Sequence, residues 1–320
     1  MTRYLLALAL LTATATVAPA QQEGPTPTQS LVSFDSKHPV SPNPSDVTVK
    51  VDNRPTPLLS LAPVPSSDVQ VAVLIDDGLR TSLGLQIDSI RNFIRTLPEG
   101  TEVFVGYMQN GRVGSASGAD SGFTTDHAAA AAAVRVSIGL PGASASPYFC
   151  LSDFVKHWPG GSEFQQPQQA HQPGHKARIV LMITNGVDPY NGSTSILNQN
   201  SPYVDASVRD AQNAGVPVYS IYYPDAGRLG RGGRGSFSGQ SYLNQIADGT
   251  GGLTFYQGSI PPVSLDPYLK AFQGAIASTF VATFDAPFSK NMVRLKLSTN
   301  LPKTKVRAPD QIRAGNVILQ

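Results

Sequence analysis

The sequence predicts an α/β protein: a doubly wound, mostly parallel sheet, with a small β-subdomain formed by the N- and C-terminal strands. Three observations predict it. The runs Val69–Asp76 and Ala177–Thr184 are almost unbroken apolar stretches, as expected of central parallel strands buried on both faces. Around them, strand-like runs alternate with stretches of helical spacing, the order that βαβ units produce. At both ends the pattern changes to short segments in which apolar and polar residues alternate, which marks half-buried strands.

Taken from the start, Arg3, the apolar stretch 5–17 and Ala18-Pro19-Ala20 have the layout of a cleaved signal peptide over 1–20. The stretch is shorter than the roughly 20 residues that span a bilayer. Residues 21–45 are rich in Pro, Ser and Gln and read as a flexible lead-in, with one short strand around Leu31-Val32-Ser33-Phe34. Residues 46–66 read as a β-hairpin, with Val47–Val51 and 57–61 as strands around the Asp52-Asn53-Arg54-Pro55 turn. The α/β domain is expected over 67–278. Its helices are Leu83 to Leu97, an alanine-rich stretch 126–138, 147–158, 202–214 closed by Gly215, 241–247 and 265–277. Its further strands are 101–107, a partner for it within 111–118, 216–223 and 253–256. Residues 279–320 supply the C-terminal strands, at 280–284, 292–297 and 303–307, which join the hairpin so that the α/β domain sits between the two ends.

Composition excludes some functions. Charged residues are only 14% of the 320, and the formal net charge is +2. A nucleic-acid binder needs a concentrated basic face, so nucleic acid is not expected as a partner. No later segment is long and apolar enough for a membrane span. The single cysteine, Cys150, rules out an internal disulfide, and its apolar neighbours Phe149 and Leu151 place it in a core. The protein is therefore expected in the periplasm or outside the cell.

Three loops stand out as chemistry. They are Asp76-Asp77-Gly78 after the first central strand, Ser144-Ala145-Ser146-Pro147-Tyr148 opening a helix, and Thr184-Asn185-Gly186 after the second central strand. All fall where α/β proteins place binding sites, at the carboxyl ends of parallel strands. In order and spacing they resemble the von Willebrand factor type A (VWA) domain, and within it a bacterial secreted subgroup whose domain is flanked by β-strands. The resemblance covers about 69–278. It implies a Rossmann-like sheet and a metal-ion-dependent adhesion site, in which Mg²⁺ or Mn²⁺ is held by Asp-x-Ser-x-Ser, a Thr and an Asp. Hydroxyl ligands leave such an ion enough charge to attract an acidic residue from the partner.

On this sequence the site is degenerate. Asp76 matches the first aspartate, but Gly78 and Arg80 stand in place of the two serines. Ser146 replaces the threonine, and Asn185 replaces the last aspartate and loses its charge. Asp76, Ser146 and Asn185 are the candidate metal ligands. Arg80 has two readings: a cation paired with Asp76 where the ion would sit, or a side chain turned to solvent. Asp77, Gly78, Arg80, Tyr148, Asp188 and Tyr190 are the candidate partner contacts, the tyrosines because they offer area and a hydrogen bond at low entropic cost.

Other motifs carry less. The stretch Gly230-Arg231-Gly232-Gly233-Arg234-Gly235 is offset from its strand and reads as a basic surface loop, not a nucleotide cradle. Pro173 and Gly174 separate His171 from His175 and prevent a helical metal pair. Asn191-Gly192-Ser193 fits a glycosylation acceptor by pattern only. No Gly-x-Ser-x-Gly elbow is present, and no histidine accompanies Asp76, Asp77 and Asp188 at a recognisable catalytic spacing. The expected function is that of a secreted, non-enzymatic module binding a protein or surface glycan through the carboxyl-edge loops. The alternatives are an envelope assembly component working through its terminal strands, and a divergent metal-dependent hydrolase.

Overall fold

A computed structural model describes residues 24–79, 81–118, 121–139, 143–160, 176–188, 201–224, 234–256, 258 and 261–319, with backbone alone at 81 and 234–237. The expected signal peptide, Arg80, Tyr190, both loop histidines, the Asn191 acceptor and residues 230–233 of the basic loop lie outside them.

The central sheet has six strands: β5 (Val69–Asp76), β6 (Glu102–Gln109), β7 (Arg112–Ser115), β8 (Ala177–Thr184), β9 (Val218–Tyr222) and β10 (Thr254–Phe255). Their spatial order is β10-β9-β8-β5-β6-β7; all neighbours are parallel except β7, which returns antiparallel along β6. In terms of the sheet's own strands this is the doubly wound order 3-2-1-4-5-6, read from the β7 edge. Its switch point falls between β5 and β8, where the first and third loops leave the sheet.

The apolar runs are explained by two-sided burial. Val71, Val73 and Ile75 of β5, with Ile179, Leu181 and Ile183 of β8, pack into one core with helices α1 (Ile87–Arg95), α2 (His127–Ala133) and α6 (Asp266–Ala277). Ala72, Leu74, Val180 and Met182 face the other way, toward α3 (Pro147–Lys156), α4 (Pro202–Asn213) and α5 (Arg234–Thr250). Strict alternation between two buried faces leaves no polar positions in the middle of either strand.

Three helices differ from expectation in length, and the first of them, α1, begins at Ile87 after a 3-10 turn over 81–86 rather than at Leu83. Helix α5 extends beyond 241–247 at both ends. Helix α2 begins at the expected Asp126 cap, whose carboxylate accepts the Ala129 N–H at 2.9 Å, but stops at Ala133. Val134 is extended, and the chain from there to Gly139 runs against the end of β5. The β-branched alternation Val134, Val136, Ile138 accounts for this ending.

The chain ends form a sandwich of two four-stranded sheets, β13-β1-β11-β4 and β14-β12-β2-β3. Here the lead-in expectation is corrected: β1 (Thr26–Asp35) is a ten-residue strand, paired with β11 (Thr279–Ala286) and β13 (Lys305–Arg307). Its buried polar side chains find partners within the fold. Thr28 Oγ1 donates to the Thr26 carbonyl at 2.9 Å, and Ser33 meets the Tyr219 hydroxyl at 3.2 Å. The expected hairpin divides between the two sheets. β2 (Val47–Val51) turns into the short β3 (Arg54–Thr56), whereas β4 (Leu58–Pro63) pairs with β11 in the other sheet. β12 (Val293–Thr299) and β14 (Gln311–Ile312) complete the second sheet. Val32, Phe34, Val49, Ala282, Phe284 and Leu295 fill the space between them.

Candidate functional site

The switch point brings Asp76 and Thr184 together at the ends of neighbouring strands. Asp76 is 2% exposed, and each of its carboxylate oxygens is occupied. Oδ1 accepts the Gly78 N–H at 2.9 Å, and Oδ2 accepts the Thr184 hydroxyl at 2.8 Å. The Ser144 side chain adds another hydrogen bond. Burial pushes this carboxyl above its ordinary pKa, against the opposing pull of those donors, and the Asp77 charge adds to the rise.

Asp77 is fully buried and has a separate set of partners. Its Oδ1 accepts Arg135 Nη1 at 2.8 Å and the Ile138 N–H at 3.2 Å, while Gln109 donates its amide to Oδ2. The guanidinium of Arg135 lies over the Tyr107 ring, 3.8 Å from its centroid, and also donates to the Val136 carbonyl at 3.0 Å. Tyr107 in turn bonds the Arg135 backbone through its hydroxyl, donating to the carbonyl and accepting the N–H, both at 2.7 Å.

The second loop is built as a helix start. Ser146 is buried and caps α3, its Oγ accepting the Tyr148 N–H at 3.3 Å, with Pro147 at the first helical position. The Tyr148 hydroxyl donates to the Gly186 carbonyl, so the second loop fastens the third. In that third loop, Asn185 is half-buried and its Oδ1 accepts the Val187 N–H at 2.9 Å. Asp188 is buried and accepts the Ser201 hydroxyl at 2.9 Å.

These positions correct four of the expected partner contacts. Asp77, Gly78, Tyr148 and Asp188 are all buried among the chain's own groups. A desolvated carboxylate needs internal donors, and a buried phenol needs an acceptor; here both are met inside the fold. The structure brings Asp76, Ser144 and Thr184 together, and Ser146 with Asn185 frames the same edge. Sequence reading missed Thr184 as a donor and Arg135 altogether. The signal for Arg135 was the break from alanine to alternating β-branched residues at Val134.

The octahedral cation that the adhesion motif implies does not fit this donor set. A hard divalent ion needs several oxygens with free lone pairs in an open site. Here Gly78 lacks the side-chain oxygen that a serine would supply. Thr184 uses its proton on Asp76 and accepts the Gly186 N–H at 3.1 Å. The neighbouring carboxylate, Asp77, is already matched by a guanidinium. Among the described residues, no group of three or more His, Cys, Asp or Glu is arranged to hold a metal.

Among the described residues, exposed aliphatic side chains lie at this edge. Leu85 is 84% exposed, Ile138 76% and Val263 97%, with Val136 partly exposed. Leu85 belongs to the short turn 81–86, which Val136 and Val263 flank. A side chain at Gly84 would touch Val136 at 3.6 Å, and the Gln86 amide donates to the Val263 carbonyl at 3.1 Å while its oxygen accepts the Leu265 N–H at 3.0 Å.

No family model matches the sequence, and no curated protein matches it. Solved structures do resemble it. A von Willebrand factor type A protein from Catenulispora acidiphila is similar over 92% of this chain and 75% of its own, at 9% identity and TM-score 0.42. The ArnB paralog VWA2 from Sulfolobus acidocaldarius covers 89% of this chain and 76% of its own, at 8% identity and TM-score 0.37. The pilus adhesin SpaC from Lactobacillus rhamnosus GG, in its open conformation, covers 89% and 41%, at 9% identity and TM-score 0.42. The α/β unit is a doubly wound, mostly parallel sheet with the three loops at its carboxyl edge, the arrangement that the resemblance to the von Willebrand factor type A domain implies.

Proposed function

We propose that this chain is a secreted recognition module, without catalytic activity, that binds a partner protein through the carboxyl edge of its sheet. The observation that supports this reading is the aliphatic cluster of Leu85, Val136, Ile138 and Val263. Leaving apolar area in water forgoes about 25 cal/mol per Å² of stabilisation, and contiguous patches of it mark interaction sites. The four exposed side chains are aliphatic, which favours a protein over a glycan. No helix among the described residues is long and apolar enough to cross a membrane.

The test is capture from an extracytoplasmic fraction by the immobilised mature chain, compared across two variants. Leu85→Asp combined with Ile138→Asp should abolish capture. Phe288→Asp, which alters an exposed aromatic in the terminal sandwich, should leave it intact. The reverse pattern would favour assembly through the terminal strands, and turnover of an ester or glycosidic substrate would favour an enzyme.

A further inference from the structure

We propose that Arg135 is the resident cation of the carboxyl edge, neutralising Asp77 from within the chain so that this face is assembled without a divalent metal. The proposal deepens the recognition reading above and rests on it, because it states the cation requirement of the same face.

Three observations carry it. First, the edge holds two adjacent carboxylates, and both are buried. Asp76 is met by hydroxyl and amide donors, and among the described residues the cation paired with these carboxylates is Arg135, whose guanidinium meets Asp77 at 2.8 Å. Second, Arg135 is not a loose surface pair. Its guanidinium is stacked on Tyr107 and anchored to the Val136 carbonyl, and its backbone is bonded at both N–H and C=O by the Tyr107 hydroxyl. A planar cation held on a ring and a carbonyl is oriented in advance, which distinguishes it from an exposed pair of negligible worth. Third, the backbone around the pair is built to that approach. A Cβ on Gly139 would lie 2.7 Å from the Asp77 carbonyl oxygen, and the Ile138 N–H binds the same carboxylate oxygen as the guanidinium.

The consequence reaches the surface directly. Val136 and Ile138, two members of the aliphatic patch, belong to a chain segment fixed by Arg135 and by the Ile138 amide on Asp77. Presentation of the patch is therefore set by the Asp77–Arg135 pair. A metal-dependent edge would lose its partner in chelator; this one should keep it.

The experiment is thermal and urea unfolding of the full mature chain, with no partner present, so its outcome does not depend on partner identity. The wild-type midpoint should be the same in EDTA, Mg²⁺ and Mn²⁺. Arg135→Ala should lower the folding equilibrium constant by about 10- to 100-fold, a buried-pair loss discounted because the arginine side chain is 37% exposed. Millimolar ethylguanidinium should restore part of that loss in Arg135→Ala, and none in the double variant with Asp77→Asn. If Arg135→Ala does not fold, Arg135→Lys and Arg135→Met carry the test: the charged variant should retain clearly more stability than the neutral one. A midpoint raised by Mg²⁺ or Mn²⁺ in wild type and not in Asp76→Ala overturns the proposal. So does an Arg135→Ala loss of equal size in the wild-type and Asp77→Asn backgrounds, or an Arg135→Lys no better than Arg135→Met.

Discussion

Thr184 donates its hydroxyl to Asp76 Oδ2 at 2.8 Å, joining the ends of two adjacent parallel strands whose residues lie 108 positions apart. The Thr184 oxygen also accepts the Gly186 N–H at 3.1 Å, so one hydroxyl satisfies a buried carboxylate and shapes the third loop. Thr184→Val keeps the volume and removes both bonds. It should cost about 2–3 kcal/mol, the penalty for leaving a buried acceptor short of its partner. Thr184→Ser keeps the hydroxyl and loses one methyl, about 1 kcal/mol. Urea unfolding of the two variants side by side decides the matter, and equal losses would show that the hydroxyl contributes nothing.

The Asp76 carboxyl has a pH signature of definite sign. Burial raises its pKa in the folded chain above the ordinary value near 3.8, so the folded state holds this proton more tightly than the unfolded state. That contribution is present in full below the unfolded pKa and is lost as pH rises through the folded one. Asp76→Asn removes it. The stability of the variant relative to wild type should therefore improve as pH is raised above about 4 and through the folded pKa, then level off above it. Asp310, also raised by burial and by Asp248, slopes in the same direction but is common to both proteins and cancels in the difference. A wild-type-minus-variant difference that stays flat across this range would show that the Asp76 proton is not held more tightly on folding.

Cys150 should be inert while the chain is folded. Its side chain is buried in the α3 core, and its Sγ donates to the Ser144 carbonyl at 3.3 Å. Burial, assisted by the Asp76 charge, pushes the thiol up to about 12. Since the thiolate is the reactive form, a maleimide or iodoacetamide should fail to label the native protein at neutral pH and should label it stoichiometrically in urea. Rapid labelling without denaturant would place Cys150 at the surface.

The sheet was largely legible in the sequence because β5 and β8 are buried on both faces, and two-sided burial leaves a signal that needs no neighbour to interpret. The carboxyl-edge position of the first and third loops was legible for a related reason: they follow the two apolar runs that end in Asp76 and Thr184. The terminal strand β1 was legible only around Leu31–Phe34 and not in its full length, because Thr28, Ser30 and Ser33 are buried with their hydroxyls bonded inside the fold, and polar residues mixed with apolar ones do not register as a core pattern. The chemistry of the edge was hidden by distance. Asp77 finds its cation 58 residues away, just past the alanine-rich helix α2. Tyr148 was expected to reach a partner, yet its hydroxyl is engaged by the Gly186 carbonyl. Nothing in the local sequence separates a tyrosine that meets solvent from one that fastens a loop.

Two facing glycines give the last prediction. Gly239 of α5 and Gly186 of the third loop lie so close that a Cβ on Gly239 would sit 2.2 Å from the Asn185 carbonyl oxygen. Gly186 has φ +64°, and a Cβ there would fall 2.7 Å from the Gly239 oxygen. Alanine ordinarily improves a helix interior by about 1 kcal/mol over glycine. At Gly239 that gain should be outweighed by overpacking of about 1–3 kcal/mol or more, since backbone atoms on both sides have to move. At Gly274 of α6, where nothing lies within 4 Å of the added carbon, the full gain should appear. Gly274→Ala should therefore stabilise the chain and Gly239→Ala should destabilise it, although both make the same change in a helix. Chemical denaturation reads the sign. If Gly239→Ala proved as stabilising as Gly274→Ala, helix α5 would have room to spare beside the loop, and the Tyr148–Gly186 fastening would not be what holds that loop in place.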